Sequence, residues 1–207
     1  MSLREPTLKP VAIADLRPTQ ITVGFREVAE KRDAWKKKSG AKGSVFLGAH
    51  MIPVILGPKN RPYVIDHHHL ARALLEAGQT EILTNTVADL STLTKASFWV
   101  VMDCKGWCHP YDAAGKRHDF ADIPTAVADL VDDPFRSLAG ELRRAGGYAK
   151  DTTPFSEFIW ADFLRNRIER AAIVADFDKT LKRALVLAKG AEANYLPGWC
   201  GPVASVT

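Results

Sequence analysis

The 207-residue chain has few cysteines and no long hydrophobic run. Its three cysteines are an odd number, which argues against a disulfide framework and suits a reducing compartment. No stretch approaches the roughly 20 apolar residues that a membrane-spanning helix needs, and no apolar targeting segment follows Met1. We therefore expect a cytoplasmic protein without a membrane partner.

The motifs of several well-known catalytic sites are also missing from the sequence. It contains no P-loop, no G-x-S-x-G or H-E-x-x-H motif, no zinc-finger spacing and no internal repeat. Cys104, Cys108 and His109 form a single C-x3-C pair with a histidine, whereas zinc sites usually combine two such pairs. We expect these three residues to be structural and expect no metal bound by the protein alone.

The composition is that of a soluble globular protein with a small basic excess. Hydrophobic residues at 46% provide ample material for a core in one large domain or two small ones. The net charge is +4, and the excess lies within residues 1–90. This charge permits an anionic partner without requiring one.

A predicted hairpin, polar turn and helix follow one another between Ile52 and Gly78. Apolar runs at residues 52–56 and 63–65 flank the turn-forming tract GPKN, which predicts two antiparallel strands. A short helical pattern follows and ends at Gly78, a residue type that often terminates helices.

The polar turn of this stretch, residues 66–69, consists of Asp66, His67, His68 and His69 and is called the histidine turn below. A strand that runs into a helix leaves unpaired N–H groups at the helix start, and with the helix dipole these favour an anion, most often phosphate. The histidines and Arg72, one turn further, would add donors. The alternative is that Asp66 only caps the helix and the histidines are solvated loop residues.

The other elements predict an α+β fold. An amphipathic helix is expected from Phe25 to near Gly40, with its lysines 36–38 as a solvated last turn. Residues 39–51 are expected to be a plain connection or a segment that closes over a ligand. Residues 81–88 alternate like a strand, and residues 97–104 (SFWVVMDC) are the most β-like stretch of the chain.

The second half of the chain is expected to be mostly helical. Asp133 and Thr153 each precede a proline and predict helix starts, and a last long helix is expected over about residues 170–189. Asp162 falls on an apolar helix face, where a buried acid needs a partner such as Arg136 or Arg165. A structural ion pair and a catalytic acid are both open interpretations of Asp162.

The order of these features resembles the N-terminal domain of the ParB and sulfiredoxin superfamily. The resemblance rests on LRPTQ, the amphipathic helix and IPVILG…YVIDHHHLARALLEAG. DDPFRSL and FSEFIWADFLR are similar to a bacterial family known as "putative ParB-like nucleases". The resemblance implies a small mixed sheet with helices over residues 1–112, and a helical region over residues 113–207 packed against it.

The resemblance also implies a role for the histidine turn. Members of the superfamily bind nucleotide phosphates at this loop and variously hydrolyse CTP, phosphorylate serine or reduce a sulfinic acid. Asp66, His68 and His69 match the loop's acid and the two positions that follow its glycine. The loop has no cysteine, so sulfiredoxin-type chemistry is not expected, and the helical half has no basic recognition helix of the kind that partitioning proteins use.

Two departures from the superfamily pattern bear on phosphate binding. His67 stands where the loop usually has glycine, and Leu70 stands where it has the phosphate-binding arginine. A residue other than glycine restricts how closely the backbone approaches a phosphate, and the loss of arginine removes a bidentate clamp. Arg72 or Arg61 would have to replace that arginine.

Three functions follow from these observations. The first is an enzyme that acts on phosphate esters, as a phosphotransferase, nucleotide hydrolase or nuclease, and that uses Mg²⁺ together with a nucleotide. The second is a nucleotide-responsive module without turnover, and the third is a nucleic-acid-binding protein without catalysis. The catalytic candidates are Asp66, His68 and His69. The phosphate-binding candidates are His67, His68, His69, Arg72 and Arg61.

Overall fold

The structure is a computed structural model, and it describes residues 10–38, 47, 48 and 50–202. The connection expected at residues 39–51 lies mostly outside the described residues. The strands described are β1 (Pro10–Ala12), β2 (Thr22–Val23), β3 (Ile52–Gly57), β4 (Arg61–Val64), β5 (Glu81–Asp89) and β6 (Val131–Asp132). The helices described are α1 (Phe25–Lys38), α2 (His68–Glu76), α3 (Lys95–Cys104), α4 (Pro134–Arg144), α5 (Ser156–Arg165), α6 (Arg170–Ala175) and α7 (Phe177–Lys189). This mixture of strands and helices confirms the predicted α+β class.

The chain divides into two compact units whose segments alternate along the sequence. The first unit takes the described residues within Met1–Ile21, Val28–Pro110 and His118–Leu130. The second takes those within Thr22–Glu27, Tyr111–Arg117 and Val131–Thr207. The division into residues 1–112 and 113–207 stays a prediction.

The first unit contains a four-stranded mixed sheet in the order β1-β5-β3-β4. β3 and β4 form the predicted antiparallel hairpin, β5 runs parallel to β3, and β1 runs antiparallel to β5. The register between β3 and β5 shifts after Val54, which marks an irregularity in the ladder. Buried apolar side chains of this unit include Ile13, Leu16, Ile52, Val54, Ile55, Val64, Leu74, Ile82, Phe98 and Met102.

The prediction of a strand at residues 97–104 is wrong, because this segment forms part of helix α3. Thr94 caps the helix by accepting a hydrogen bond from the Ser97 N–H at 3.2 Å. Phe98 and Met102, four residues apart, are fully buried, while Val100 between them is 60% exposed. Aromatic and β-branched residues favour strands, but here the cap and the burial of one helical face override that preference.

The second unit combines a short parallel pair, β2 with β6, with helices α4 to α7. Asp133 caps α4 by accepting the Phe135 N–H at 2.9 Å, and Pro134 occupies the first helical position, so this predicted helix start is confirmed. The core of the unit includes Leu138, Leu142, Tyr148, Trp160, Phe163, Leu164, Ile173, Ala184 and Ala188.

Two helix boundaries in the second unit differ from the predicted ones. Helix α5 begins at Ser156 rather than directly after Thr153, because Phe155 adopts a left-handed φ of 57°. The single helix expected over residues 170–189 is divided at Asp176, whose side chain accepts the Lys179 N–H at 2.9 Å and starts α7. A left-handed backbone conformation sets the first of these helix starts and a side-chain cap sets the second, and hydrophobic periodicity reveals neither.

The described helices are all too short or too polar to span a lipid bilayer.

Candidate functional site

The histidine turn follows directly after strand β4. Asp66 Oδ1 accepts the His67 N–H at 2.6 Å, and Asp66 Oδ2 lies 4.0 Å from His67 Nε2. The side chains of Asp66 and His67 are 76% and 42% exposed. An exposed carboxylate and an exposed imidazole therefore stand side by side at the end of the strand.

His67, which stands where the superfamily loop usually has glycine, has a backbone conformation that favours glycine. Its φ is 66° and its ψ is 24°, in the left-handed region that residues with a side chain rarely adopt. The turn therefore keeps a glycine-like shape although a histidine occupies the position. This conformation costs free energy, of order 1–2 kcal/mol for an ordinary residue.

Helix α2 begins immediately after this turn, at His68. Within the described part of the chain, the His67 side chain makes no capping hydrogen bond to the helix. The N-terminus of a nine-residue helix thus adjoins the two exposed side chains, where its dipole and its first N–H groups favour an anion. The helix ends at the predicted place, with Gly78 at φ +80°.

His68 is buried and connects the histidine turn to the segment before β2. Its Nε2 accepts the backbone N–H of Thr19 at 3.2 Å, and Thr19 Oγ1 donates to the Val64 carbonyl at 2.6 Å. Burial lowers the pKa of His68 to about 3, partly offset by the negative charge of Asp66. His68 is therefore a neutral hydrogen-bond acceptor at physiological pH, and its bond to Thr19 joins the turn to the segment before β2.

The two other residues of helix α2 that were candidates are also largely enclosed. His69 is buried in the first turn of the helix. Arg72 donates from Nε to Glu76 at 2.8 Å, and from one terminal nitrogen to the carbonyls of Ala128 and Leu130 at 2.8 and 2.9 Å. The guanidinium of Arg72 thus holds residues 128–130 in place.

Arg61 lies at the opposite end of β4 from the histidine turn. The strand begins at Arg61 and ends two residues before Asp66. Five residues at about 3.3 Å each separate these positions by roughly 16 Å. Arg61 therefore does not join the turn and instead lines a separate cavity.

This cavity has a volume of about 250 Å³, and we call it the basic pocket. The pocket lies entirely in the first unit. Its basic side chains are Arg17, Lys59, Arg61 and Lys95, and its aromatic side chains are Tyr63, Trp99 and Phe120. Among the described residues that line it, none is acidic.

The two cysteines of the C-x3-C pair differ in exposure. Cys104 is exposed and Cys108 is buried. No group of three histidine, cysteine or acidic side chains that could hold a metal occurs in the described ranges.

The burial expected for Asp162 is wrong, since its side chain is 58% exposed, but its pairing with Arg165 at 3.0 Å is confirmed. The buried acid of this region is Asp133, which pairs with Arg165 at 2.7 Å. Burial raises the pKa of Asp133, and the charge of Arg165 opposes that rise.

Residues 9–166 match the model of the family described as "Putative ParB-like nuclease". The chain belongs to this family. It is also similar to the crystal structure of protein Atu1540 from Agrobacterium tumefaciens, with 52% sequence identity and a TM-score of 0.88 over 96% of this chain and 100% of that chain. No curated protein matches the chain.

Family membership confirms the resemblance inferred from the sequence. The matched region of this ParB-like protein includes both the histidine turn and the basic pocket. Sequence reasoning missed the pocket because its basic residues come from three distant segments and its tryptophan lies in the segment mistaken for a strand. The available signal was the pair Lys59 and Arg61 in the hairpin, next to the aromatic Tyr63.

Proposed function

We propose that this ParB-like protein binds phosphate esters at the histidine turn and acts on them as a nuclease, a nucleotide hydrolase or a phosphotransferase. The observation that supports this proposal is the start of helix α2, which has no side-chain cap from His67 within the described residues and adjoins the exposed Asp66 and His67. A helix N-terminus of this kind favours a phosphate, and the two side chains beside it offer a base and a donor.

The proposed roles follow from the surroundings of each residue. Asp66 would accept the proton of an attacking water or hydroxyl, or orient His67. The imidazole of His67 would donate to a phosphate oxygen. His68 would hold the turn through Thr19, and His69 would complete the site from the first turn of the helix.

The described residues offer no dedicated site for Mg²⁺, since no three potential ligands lie together in them. An ion used with a nucleotide would be coordinated mainly by the nucleotide's phosphates, as is common for Mg²⁺. The proton transfer proposed for Asp66 and the hydrogen bond proposed for His67 do not depend on such an ion.

The second candidate function is a nucleotide-responsive or nucleic-acid-binding module without turnover. It is favoured by the burial of His68 and by the three acceptors already bound by Arg72, which leave few exposed groups for proton transfer near the turn. Nucleic acid is a candidate partner because the family is described as nuclease-like.

The test is a screen of the purified full chain for turnover of DNA, RNA and nucleoside triphosphates, with and without Mg²⁺. We expect Asp66→Asn and His67→Ala to lower the rate by about a hundredfold or more, the usual contribution of acid–base catalysis, without changing the melting temperature. Asp151→Asn is a matched control, because Asp151 is partly exposed and also accepts a backbone N–H, from Thr153 at 2.7 Å.

Each outcome decides between the candidates. Turnover that is unaffected by both variants would place the chemistry outside the histidine turn. Binding without turnover, lost in Asp66→Asn or His67→Ala, would favour the non-catalytic module.

A further inference from the structure

The basic pocket combines positive charge with aromatic surface at a site that the histidine turn does not include. Lys59 and Arg61 come from the hairpin, Lys95 comes from the first turn of α3, and Arg17 precedes β2. None of these four forms an ion pair with an acid among the described residues. A concave surface lined by charge of one sign raises the local concentration of ions of the opposite sign. The charge of the pocket therefore points to an anionic ligand.

The aromatic residues of the pocket are closely packed. Phe120 stacks on Trp99, with ring centroids 5.4 Å apart and an interplanar angle of 4°. Tyr63 meets the edge of Trp99 at 5.6 Å. Such side chains offer π-faces on which a nucleobase can stack, irrespective of its identity.

Two buried donors in the pocket have no hydrogen-bond partner in the part of the chain that the structure describes. They are Nε1 of Trp99 and Nε of Arg17. Trp99 is only 7% exposed, so its indole N–H has little access to bulk solvent. Buried donors without a partner are rare in folded proteins because leaving them unpaired costs free energy. A ligand oxygen in the pocket would satisfy them.

We propose that the basic pocket binds a nucleoside phosphate, either as a free nucleotide or as one unit of a single-stranded nucleic acid. The basic side chains contact the phosphate groups, and Phe120 and Tyr63 contact the base. The volume of about 250 Å³ lies near the lower end of the roughly 300–1,000 Å³ of small-molecule pockets, so we expect the pocket to hold no more than one nucleotide unit. This site is separate from the histidine turn and does not require turnover there.

The test measures binding of two probes to the full chain, fluorescein-labelled oligothymidylate and thymidine 5′-monophosphate. Lys59→Ala and Arg61→Ala each remove one phosphate contact, so each should weaken binding and reduce the log–log salt slope for the oligonucleotide by about 0.7. Phe120→Leu removes a stacking face and should weaken binding roughly fivefold or more. The control is Lys37→Ala, which removes the same charge from an exposed lysine of α1.

Trp99→Phe keeps an aromatic ring at this position but removes the unpartnered N–H together with part of the indole. Because the side chain is buried and becomes smaller, we expect a lower melting temperature for a still folded protein, and binding weakened about two- to tenfold. Loss of binding to both probes in the pocket variants indicates a nucleotide site, and loss for the oligonucleotide alone indicates a strand.

The proposal is overturned if the wild-type chain binds neither probe, or if the pocket variants bind as well as Lys37→Ala. It is also overturned if only Asp66→Asn and His67→Ala abolish binding of the probes. Absence of turnover at the histidine turn, by contrast, would contradict the proposed enzyme and leave binding in the basic pocket as it is.

Discussion

The backbone N–H of Thr19 donates to Nε2 of His68 at 3.2 Å, and both residues are buried. The two are 49 positions apart in the sequence, so the bond joins the segment before β2 to the start of helix α2. An acceptor role for Nε2 requires the neutral ring with its proton on Nδ1. Protonation of His68 would therefore remove an acceptor and place a charge in a buried site.

Because of His68, the free energy of unfolding should fall as the solution is acidified. In the unfolded chain it binds a proton near its ordinary pKa of 6.5, whereas in the folded protein it stays neutral until about pH 3. Between these values the unfolded state binds more protons. The contribution of His68 is thus complete above pH 6.5 and is lost as the pH falls, at up to about 1.4 kcal/mol per pH unit.

This dependence is measured by urea unfolding from about pH 7 to about pH 5, with His68→Gln for comparison. Glutamine does not titrate, so the variant should be less stable at neutral pH but should lose less stability on acidification. If the free energy of unfolding changed with pH in the same way for both proteins, His68 would be protonated in the folded state as readily as in the unfolded chain.

His67→Gly should stabilise the protein. His67 has a φ of 66°, which costs an ordinary residue about 1–2 kcal/mol and glycine almost nothing. The greater entropy of glycine in the unfolded chain offsets about 0.5–1 kcal/mol, so we expect a net gain of up to about 1 kcal/mol in the free energy of unfolding. His67→Ala keeps the strained φ and should show no such gain. A glycine variant less stable than the alanine variant would contradict this account.

Truncation of Arg72 should lower the stability of the protein much more than truncation of Arg61. Arg72→Ala removes hydrogen bonds to the carbonyls of Ala128 and Leu130 and to Glu76, and should cost about 2–3 kcal/mol of stability. Arg61→Ala alters an exposed side chain and should change stability by less than about 0.5 kcal/mol. Thermal unfolding and oligothymidylate binding of both variants check this contrast. An Arg72→Ala variant as stable as the unchanged protein would show that the hydrogen bonds from Arg72 to residues 128–130 contribute little to stability.

Asp133 should be more important for stability than Asp162, although both pair with Arg165. Asp133→Ala leaves Arg165 without its buried partner and removes the cap of α4, so we expect a loss of about 3–5 kcal/mol. Asp133→Asn retains the capping oxygen and should cost less. Asp162→Asn breaks an exposed pair and should cost less than about 1 kcal/mol. Equal losses for Asp133→Ala and Asp162→Asn in urea unfolding would contradict the assignment of Asp133 as the buried partner.

Local signals in the sequence determined several elements correctly. The hairpin follows from turn-forming residues between two apolar runs, and the start of α4 follows from Asp133 before Pro134. The end of α2 follows from Gly78. Each of these features depends on the conformational preferences of a few neighbouring residues, which are the same wherever the segment lies in the fold.

The tertiary structure decided which of the candidate residues face solvent and which do not. His67 and His68 are adjacent and identical in type, yet one is exposed and the other accepts a bond from Thr19. Residues 97–104 form a helix because burial of Phe98 and Met102 on one helical face outweighs the β preference of the aromatic and β-branched residues in this segment. The basic pocket exists only because folding brings Arg17, Lys59 and Lys95 together. Burial and long-range contacts set the charge, accessibility and partners of a side chain, and these depend on residues that are distant in the sequence.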